Sequence, residues 1–180
     1  MERRQLHFAD TRPDLEEYLH FIQNNRYPLS LLLDDVRDMR NIGALFRLAD
    51  AARLAKIYFY RMESVKLGVE FRRVARSAEQ FVPYETLSSF EAVQDLLQTH
   101  QLLALEWTND SVAYNKVNVK TPCLLAIGNE ERGISDKILQ MAETCLHIPM
   151  YGVKTSMNVS VATGIAVYGL LEEWNGGMME

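Results

Sequence analysis

Ile148-Pro149-Met150-Tyr151-Gly152 leads, through a loop of small and polar residues, into Ser156-Met157-Asn158-Val159-Ser160. A short apolar strand that stops at Pro and Gly and is followed by the helix-like run Val159–Trp174 forms a strand-loop-helix unit. Asn158 and Ser160 are candidate N-terminal caps, and Ser156 stands at the bend. Backbone amides at such a junction can hold a polar ligand without a charged side chain. A capped helix after a tight turn has the same local pattern.

The alternation continues back to the start of the chain. Helical spacing predicts a helix over Asp14–Asn25, and Leu29–Leu33 reads as a strand. Ile42–Ala55 carries an apolar stripe at Ile42, Leu45, Phe46, Ala49 and Ala52, which predicts a helix. Strand Ile57–Tyr60 and a short helix Gly68–Arg76 follow. Ser88-x-x-Glu91 is a capping-box pattern that opens a helix to Thr99, ahead of strand Leu102–Glu106. Strand Pro122–Ile127, helix Ser135–Ala142 and strand Cys145–Ile148 complete the series. Strands alternating with helices give the fold class α/β, a mostly parallel sheet with helices on both faces. One domain over 1–180 suffices: an N-terminal helical extension at 1–28, a core at 29–175 and a tail at 176–180.

Composition narrows the function. The chain is 48% hydrophobic and has no run of about eighteen apolar residues that could span a bilayer. Met1-Glu2-Arg3-Arg4-Gln5 is soon followed by Asp10, Asp14, Glu16 and Glu17, unlike a signal peptide. Cys123 and Cys145 lack metal-ligand spacing and read as buried free thiols, which fits a reducing cytoplasm. The common metal and nucleotide motifs are absent. Net charge is −5, yet residues 36–76 hold ten Lys/Arg against four Asp/Glu. That asymmetry can build a phosphate-binding face on an otherwise acidic protein; it is equally the signature of a solvated surface. Tyr27, Tyr58 and Tyr60 have faces that could stack on bases, although tyrosines near strands more often serve the core.

Ligands of parallel sheets bind beyond the carboxyl ends of the strands. Three loops lie there. In Asp34-Asp35-Val36-Arg37-Asp38-Met39-Arg40-Asn41-Ile42-Gly43-Ala44-Leu45-Phe46-Arg47, Asn41 is a natural helix cap and Gly43 permits close backbone approach. Arg47 falls on the less apolar side, where Asp50 at i,i+3 could pair with it. Gly128-Asn129-Glu130-Glu131-Arg132-Gly133 places a carboxylate beside a glycine that can admit a ligand, or simply makes a turn. The third loop is the one quoted first.

Together, Asn41-Ile42-Gly43-Ala44-Leu45-Phe46-Arg47, Gly128-Asn129-Glu130-x-x-Gly133 and Ile148-Pro149-Met150 with Ser156-Met157-Asn158-Val159-Ser160-Val161-Ala162 closely resemble the three motifs of the SpoU/TrmH family. These are RNA ribose 2'-O-methyltransferases of the SPOUT superfamily. Leu48 departs from the small or hydroxylated residue more usual after the arginine. The resemblance implies S-adenosylmethionine as donor, no metal, a homodimer and a C-terminal deep trefoil knot. It implies a donor pocket made by Leu105, Glu106, Gly128, Ile148 and Met157. Catalysis would rest on Arg47, supported by Asn41, Glu130, Ser156 and Asn158. The substrate would be structured RNA, either tRNA or rRNA, with Arg40 among its phosphate contacts. Arg72, Arg73 and Arg76 fall at helical spacing on roughly one side, which suits further phosphate contacts and equally a solvated helix face. A base-methylating SPOUT enzyme and a catalytically silent RNA-binding module are the competing readings. The arginine motif and Ser156-Met157-Asn158 favour ribose, and the presence of all five polar residues argues against a silent module.

Overall fold

The computed structural model describes residues 14–62 and 68–174. The first part of the expected extension, Lys66 of the basic segment and the expected tail lie outside these residues. In chain order the elements are α1 (Leu15–Asn24), β1 (Tyr27–Asp34), α2 (Met39–Ala51), β2 (Leu54–Tyr60) and α3 (Val69–Ala75). They continue with β3 (Tyr84–Leu87), α4 (Phe90–Leu97), β4 (Gln101–Leu105), β5 (Val112–Ala113) and β6 (Cys123–Gly128). The last three are α5 (Asp136–Met141), β7 (Thr144–His147) and α6 (Val159–Trp174). The seven strands form one sheet in the order β3-β2-β1-β6-β4-β7-β5, and every pair is parallel.

Both faces of that sheet are covered, which explains the near-continuous apolar runs in β1 and β6. Leu31, Leu33, Leu125 and Ile127 point into a core shared with α2, α3 and α6. Leu32, Leu124 and Ala126, one residue out of step, point into a second core with Val93 of α4 and Ile138 of α5. Phe46 anchors the first core, its ring 5.2 Å edge-to-face from Phe71 and 5.4 Å from Tyr84. Tyr58 and Tyr60 belong to the second core, so neither offers a face to a base. Cys123 is buried, and burial pushes its thiol up to about 12. Cys145 is only half-buried, and burial raises its thiol as well. Among the described residues no helix is long and apolar enough to cross a membrane.

Four local expectations need correction. Asp38, not Asn41, caps α2: its carboxylate accepts from the Arg40 N–H at 2.8 Å, so the helix starts at Met39. The same helix stops at Ala51 because Arg53 turns into the left-handed region at φ 49° and starts the turn into β2. Ser89 rather than Ser88 caps α4, accepting from the Ala92 N–H at 3.3 Å. Strands β3 and β5 went unread. Only Leu87 of β3 is buried, and β5 is two residues long, so neither carries an apolar pattern.

Gly43 lies where α3 crosses α2. A Cβ there would stand 2.9 Å from the Phe71 carbonyl oxygen and 3.0 Å from Val74 Cβ, so the close approach is between two helices. Gly43→Ala would gain up to about 1 kcal/mol in helix propensity. It would lose about 1–3 kcal/mol to overpacking against backbone that cannot rotate away. Urea unfolding should therefore show a less stable variant; equal or greater stability would mean that the α2–α3 contact yields.

Candidate active site

Strands β1, β6, β4 and β7 end at one edge of the sheet, and the loops leaving them meet there. After β6, Asn129 and Gly133 exchange two backbone hydrogen bonds of 3.1 and 2.9 Å, closing a tight loop. The Asn129 side chain stiffens it, accepting from the Glu131 and Arg132 N–H groups and donating to the Asp35 carbonyl at 2.9 Å. A Cβ on Gly128 would fall within the backbone of Gly133 and Ile134. The loop itself thus demands a glycine at 128. Gly133 sits at φ 69°, and a Cβ on it would strike the Glu106 carboxylate.

Glu130 projects from this loop onto the first. Its Oε1 accepts from Asn41 Nδ2 at 2.9 Å and from the Asp38 N–H at 3.2 Å, and its Oε2 accepts from the Arg37 N–H at 3.3 Å. Asn41 Oδ1 in turn accepts from Asn158 Nδ2 at 3.0 Å. Asn158 Oδ1 then caps α6, accepting from the Ser160 N–H at 3.0 Å and its hydroxyl at 2.7 Å. One hydrogen-bonded chain therefore joins all three loops. Beside it, Arg40 holds the Asp38 carboxyl below the usual carboxylate range through a 2.8 Å ion pair.

A cleft of about 390 Å³ opens between the second and third loops. Its floor is apolar (Leu105, Ile127, Leu146, Ile148), and Glu106, Glu130 and Glu131 stand around it. The Glu106 carboxylate accepts from the Trp107 N–H at 3.2 Å and the Ile134 N–H at 3.0 Å. Trp107 and His147, stacked with centroids 5.7 Å apart, form a further wall. Burial and volume suit a small organic ligand with an apolar body and a cationic end.

The expected donor residues Leu105, Glu106, Gly128, Ile148 and Met157 all line this cleft, as do Glu130, Ser156 and Asn158. Asn41 lies behind it, 8% exposed, and reaches it through its two side-chain hydrogen bonds. Arg47 does not line it. Six residues beyond Asn41 on a straight helix, it lies about 9 Å farther along the axis. It is exposed and makes no ion pair among the described residues; the charge of Asp50 acts instead on Arg26. Arg72 and Arg73 are exposed on α3, but Arg76 is the left-handed cap beyond its end, so helical spacing does not set its direction. Trp107, His147 and Asn129 were not foreseen. Nothing in sequence links positions 107 and 147, though Trp107 adjoins Glu106. Among the described residues no three His, Cys, Asp or Glu side chains are grouped to hold a metal ion.

The SpoU rRNA Methylase family model matches residues 28–168. The chain belongs to the SpoU family. It is 30% identical over 158 residues to the tRNA (guanosine(18)-2'-O)-methyltransferase of Aquifex aeolicus, covering 86% of this chain and 74% of that protein. It is 32% identical over 158 residues to the 23S rRNA (guanosine-2'-O-)-methyltransferase RlmB of Blochmanniella floridana, covering 85% of this chain. The match spans 62% of that RlmB, so more than a third of the larger relative has no counterpart in it. The crystal structure of the A. aeolicus TrmH/SpoU tRNA modifying enzyme superposes with a TM-score of 0.76 at 31% identity, over 91% of this chain and 86% of that one. The AdoMet-bound rRNA methyltransferase from Sinorhizobium meliloti shares the fold at a TM-score of 0.76 and 23% identity, over 88% of this chain and 61% of that one.

In this SpoU chain Glu130, Asn41 and Asn158 join the three motifs, the first of which lies within α2. Glu130→Ala removes the acceptor for two backbone amides and one side-chain amide. Because Glu130 is exposed, water replaces part of that bonding, and the stability loss should be about 1–2 kcal/mol. The Arg37 and Asp38 amides should exchange with solvent faster than in the parent protein; unchanged protection at both would show that Glu130 does not hold the first loop.

Proposed function

We propose that this chain methylates a ribose 2'-hydroxyl of structured RNA, tRNA or rRNA, using S-adenosylmethionine. The observation that carries the reading is the Glu130–Asn41–Asn158 chain, which fixes all three family motifs around one cleft. When bound, S-adenosylmethionine supplies an electrophilic methyl group on a sulfonium. The residues present fit it: Leu105, Ile148 and Met157 would pack its apolar parts, with Gly128 at the loop's turn. The carboxylates of Glu106, Glu130 and Glu131 favour its cationic end. No step calls for a metal.

The protein's part is alignment and electrostatics. Holding a ribose oxygen in line with the methyl group can contribute about 7–11 kcal/mol. Arg47 would bind the adjoining phosphate and stabilise negative charge developing on the 2'-oxygen; a guanidinium stays protonated and is better suited to this than to removing the proton. Ser156, exposed in the cleft wall, would contact the incoming ribose. Glu130, Asn41 and Asn158 orient the loops rather than transfer protons. Arg40, Arg72, Arg73 and Arg76 would extend the phosphate contacts along α2 and α3.

A homodimer completes the reading. Helix α6 is apolar nearly all round, a pattern of buried helices, yet Val161 is 52% and Tyr168 41% exposed on it. Its Gly164 faces Leu48, the neighbour of Arg47, so a second copy on α6 would bring Arg47 beside an interface and toward the partner's cleft. The same reading makes the second and third loops the loops of a trefoil knot and places the protein in the cytoplasm, in keeping with its two free thiols.

Labelled S-adenosylmethionine, incubated with tRNA and rRNA pools from cells lacking this protein, tests the proposal after digestion to nucleosides. A 2'-O-methylated nucleoside is expected, and a methylated base would overturn the ribose reading. Arg47→Lys, a point charge in place of a planar fork, should be about 100-fold slower; near-normal turnover would remove Arg47 from the mechanism.

A further inference from the structure

Asp34 and Asp35, at the carboxyl end of β1, are nearly inaccessible, with side chains 0% and 4% exposed. Buried carboxylates need compensation, and guanidinium groups supply it from different parts of the chain. Arg61, just beyond β2, places Nη1 3.3 Å from Asp34 and Nη2 3.9 Å from Asp35. Arg132, from the glycine-bracketed loop, places Nη2 2.6 Å from Asp35, and Arg37 donates to it through Nε at 2.8 Å. Three guanidiniums thus serve two carboxylates.

Two of these arginines face a hollow. About 250 Å³ in volume, it adjoins the donor cleft and shares Asn129 and Gly133 with it. Arg61 and Arg132 line it, with side chains 41% and 62% exposed despite their anchorage. Each guanidinium carries five N–H donors in a planar fork, and the aspartates engage only one or two of them. Ser135 is also in the lining, and its N–H donates to Asp34 Oδ2 at 2.7 Å. Arg61 and Asp35 hold left-handed backbone at φ 58° and 59°, strained for residues with side chains. Pre-oriented guanidiniums with spare donors are the chemistry that holds a phosphate. Among the described residues lining the hollow, Asp136 is the one acid that these arginines do not engage.

We propose that Arg61 and Arg132 form a phosphodiester site for the RNA strand, on the loop that also borders the donor cleft. The proposal rests on the function proposed above and goes beyond its motif residues: it assigns substrate grip to two arginines that otherwise look like structural ion-pair partners. The strand would run from the Arg61–Arg132 hollow past Asn129 to the nucleotide being methylated.

Binding of the RNA pool that the wild type methylates, measured from about 50 to 200 mM salt, tests this. Arg132→Gln keeps a donor for Asp35 but loses the charge. It should bind RNA about tenfold more weakly at the low-salt end, with a log–log salt slope lower by about one, and with donor affinity retained. Asp136→Asn leaves the buried network untouched and should bind RNA several-fold more tightly. Wild-type affinity and slope in both variants would overturn the site while leaving the methyltransferase reading intact. If Arg132→Gln fails to fold, wild-type affinity in Asp136→Asn overturns it alone. A wild type that binds neither RNA pool would sink the functional reading, and this site with it.

Discussion

A carboxylate can only accept hydrogen bonds, and that fact sets the polarity of the whole site. Because Glu130 accepts from Asn41, the amide nitrogen of Asn41 must face it and the amide oxygen must face away. That oxygen takes the Asn158 amide nitrogen, which leaves the Asn158 oxygen for the first turn of α6. No link can be reversed without setting like against like. Three loops that would otherwise be independent turns are thereby locked in one arrangement, and the cleft between them takes its shape from it.

Around that chain, charge is sorted by loop. Among the described residues the proposed donor cleft carries carboxylates and no lysine or arginine in its lining, whereas arginines gather at the end of β1 and along α2 and α3. A cationic donor and a polyanionic substrate can then occupy neighbouring hollows without competing for the same field. The net charge of −5 hides this, because most of the acids lie outside the basic segment.

Much of this was legible in the chain. The bounds of α6, the apolar strands β1 and β6, and the three loops follow from periodicity and turn chemistry. What failed did so for physical reasons. Asp38 and Asn41 are both good caps three residues apart; Asp38 takes the Arg40 N–H, while the Asn41 side chain is held by the distant Glu130 and Asn158. Gly128 and Gly43 announce a close approach, but sequence cannot say that what approaches is the protein's own backbone. Strand β3 is an edge strand with one buried residue and no apolar signature. The Trp107–His147 stack and the arginines around Asp35 join residues that no local pattern connects.

Asn41 and Glu130 are 89 residues apart, and Asn41 and Asn158 are 117 apart. Closing such spans costs chain entropy before any hydrogen bond offsets it, and the parallel sheet order requires nearly every strand to be present first. The site therefore belongs to the last stage of folding. During synthesis the hydrogen-bonded chain cannot be completed until the polypeptide has been made beyond residue 158. A partly folded or truncated molecule would carry the basic segment without an organised cleft, so methyl transfer is reserved for chains whose topology is complete.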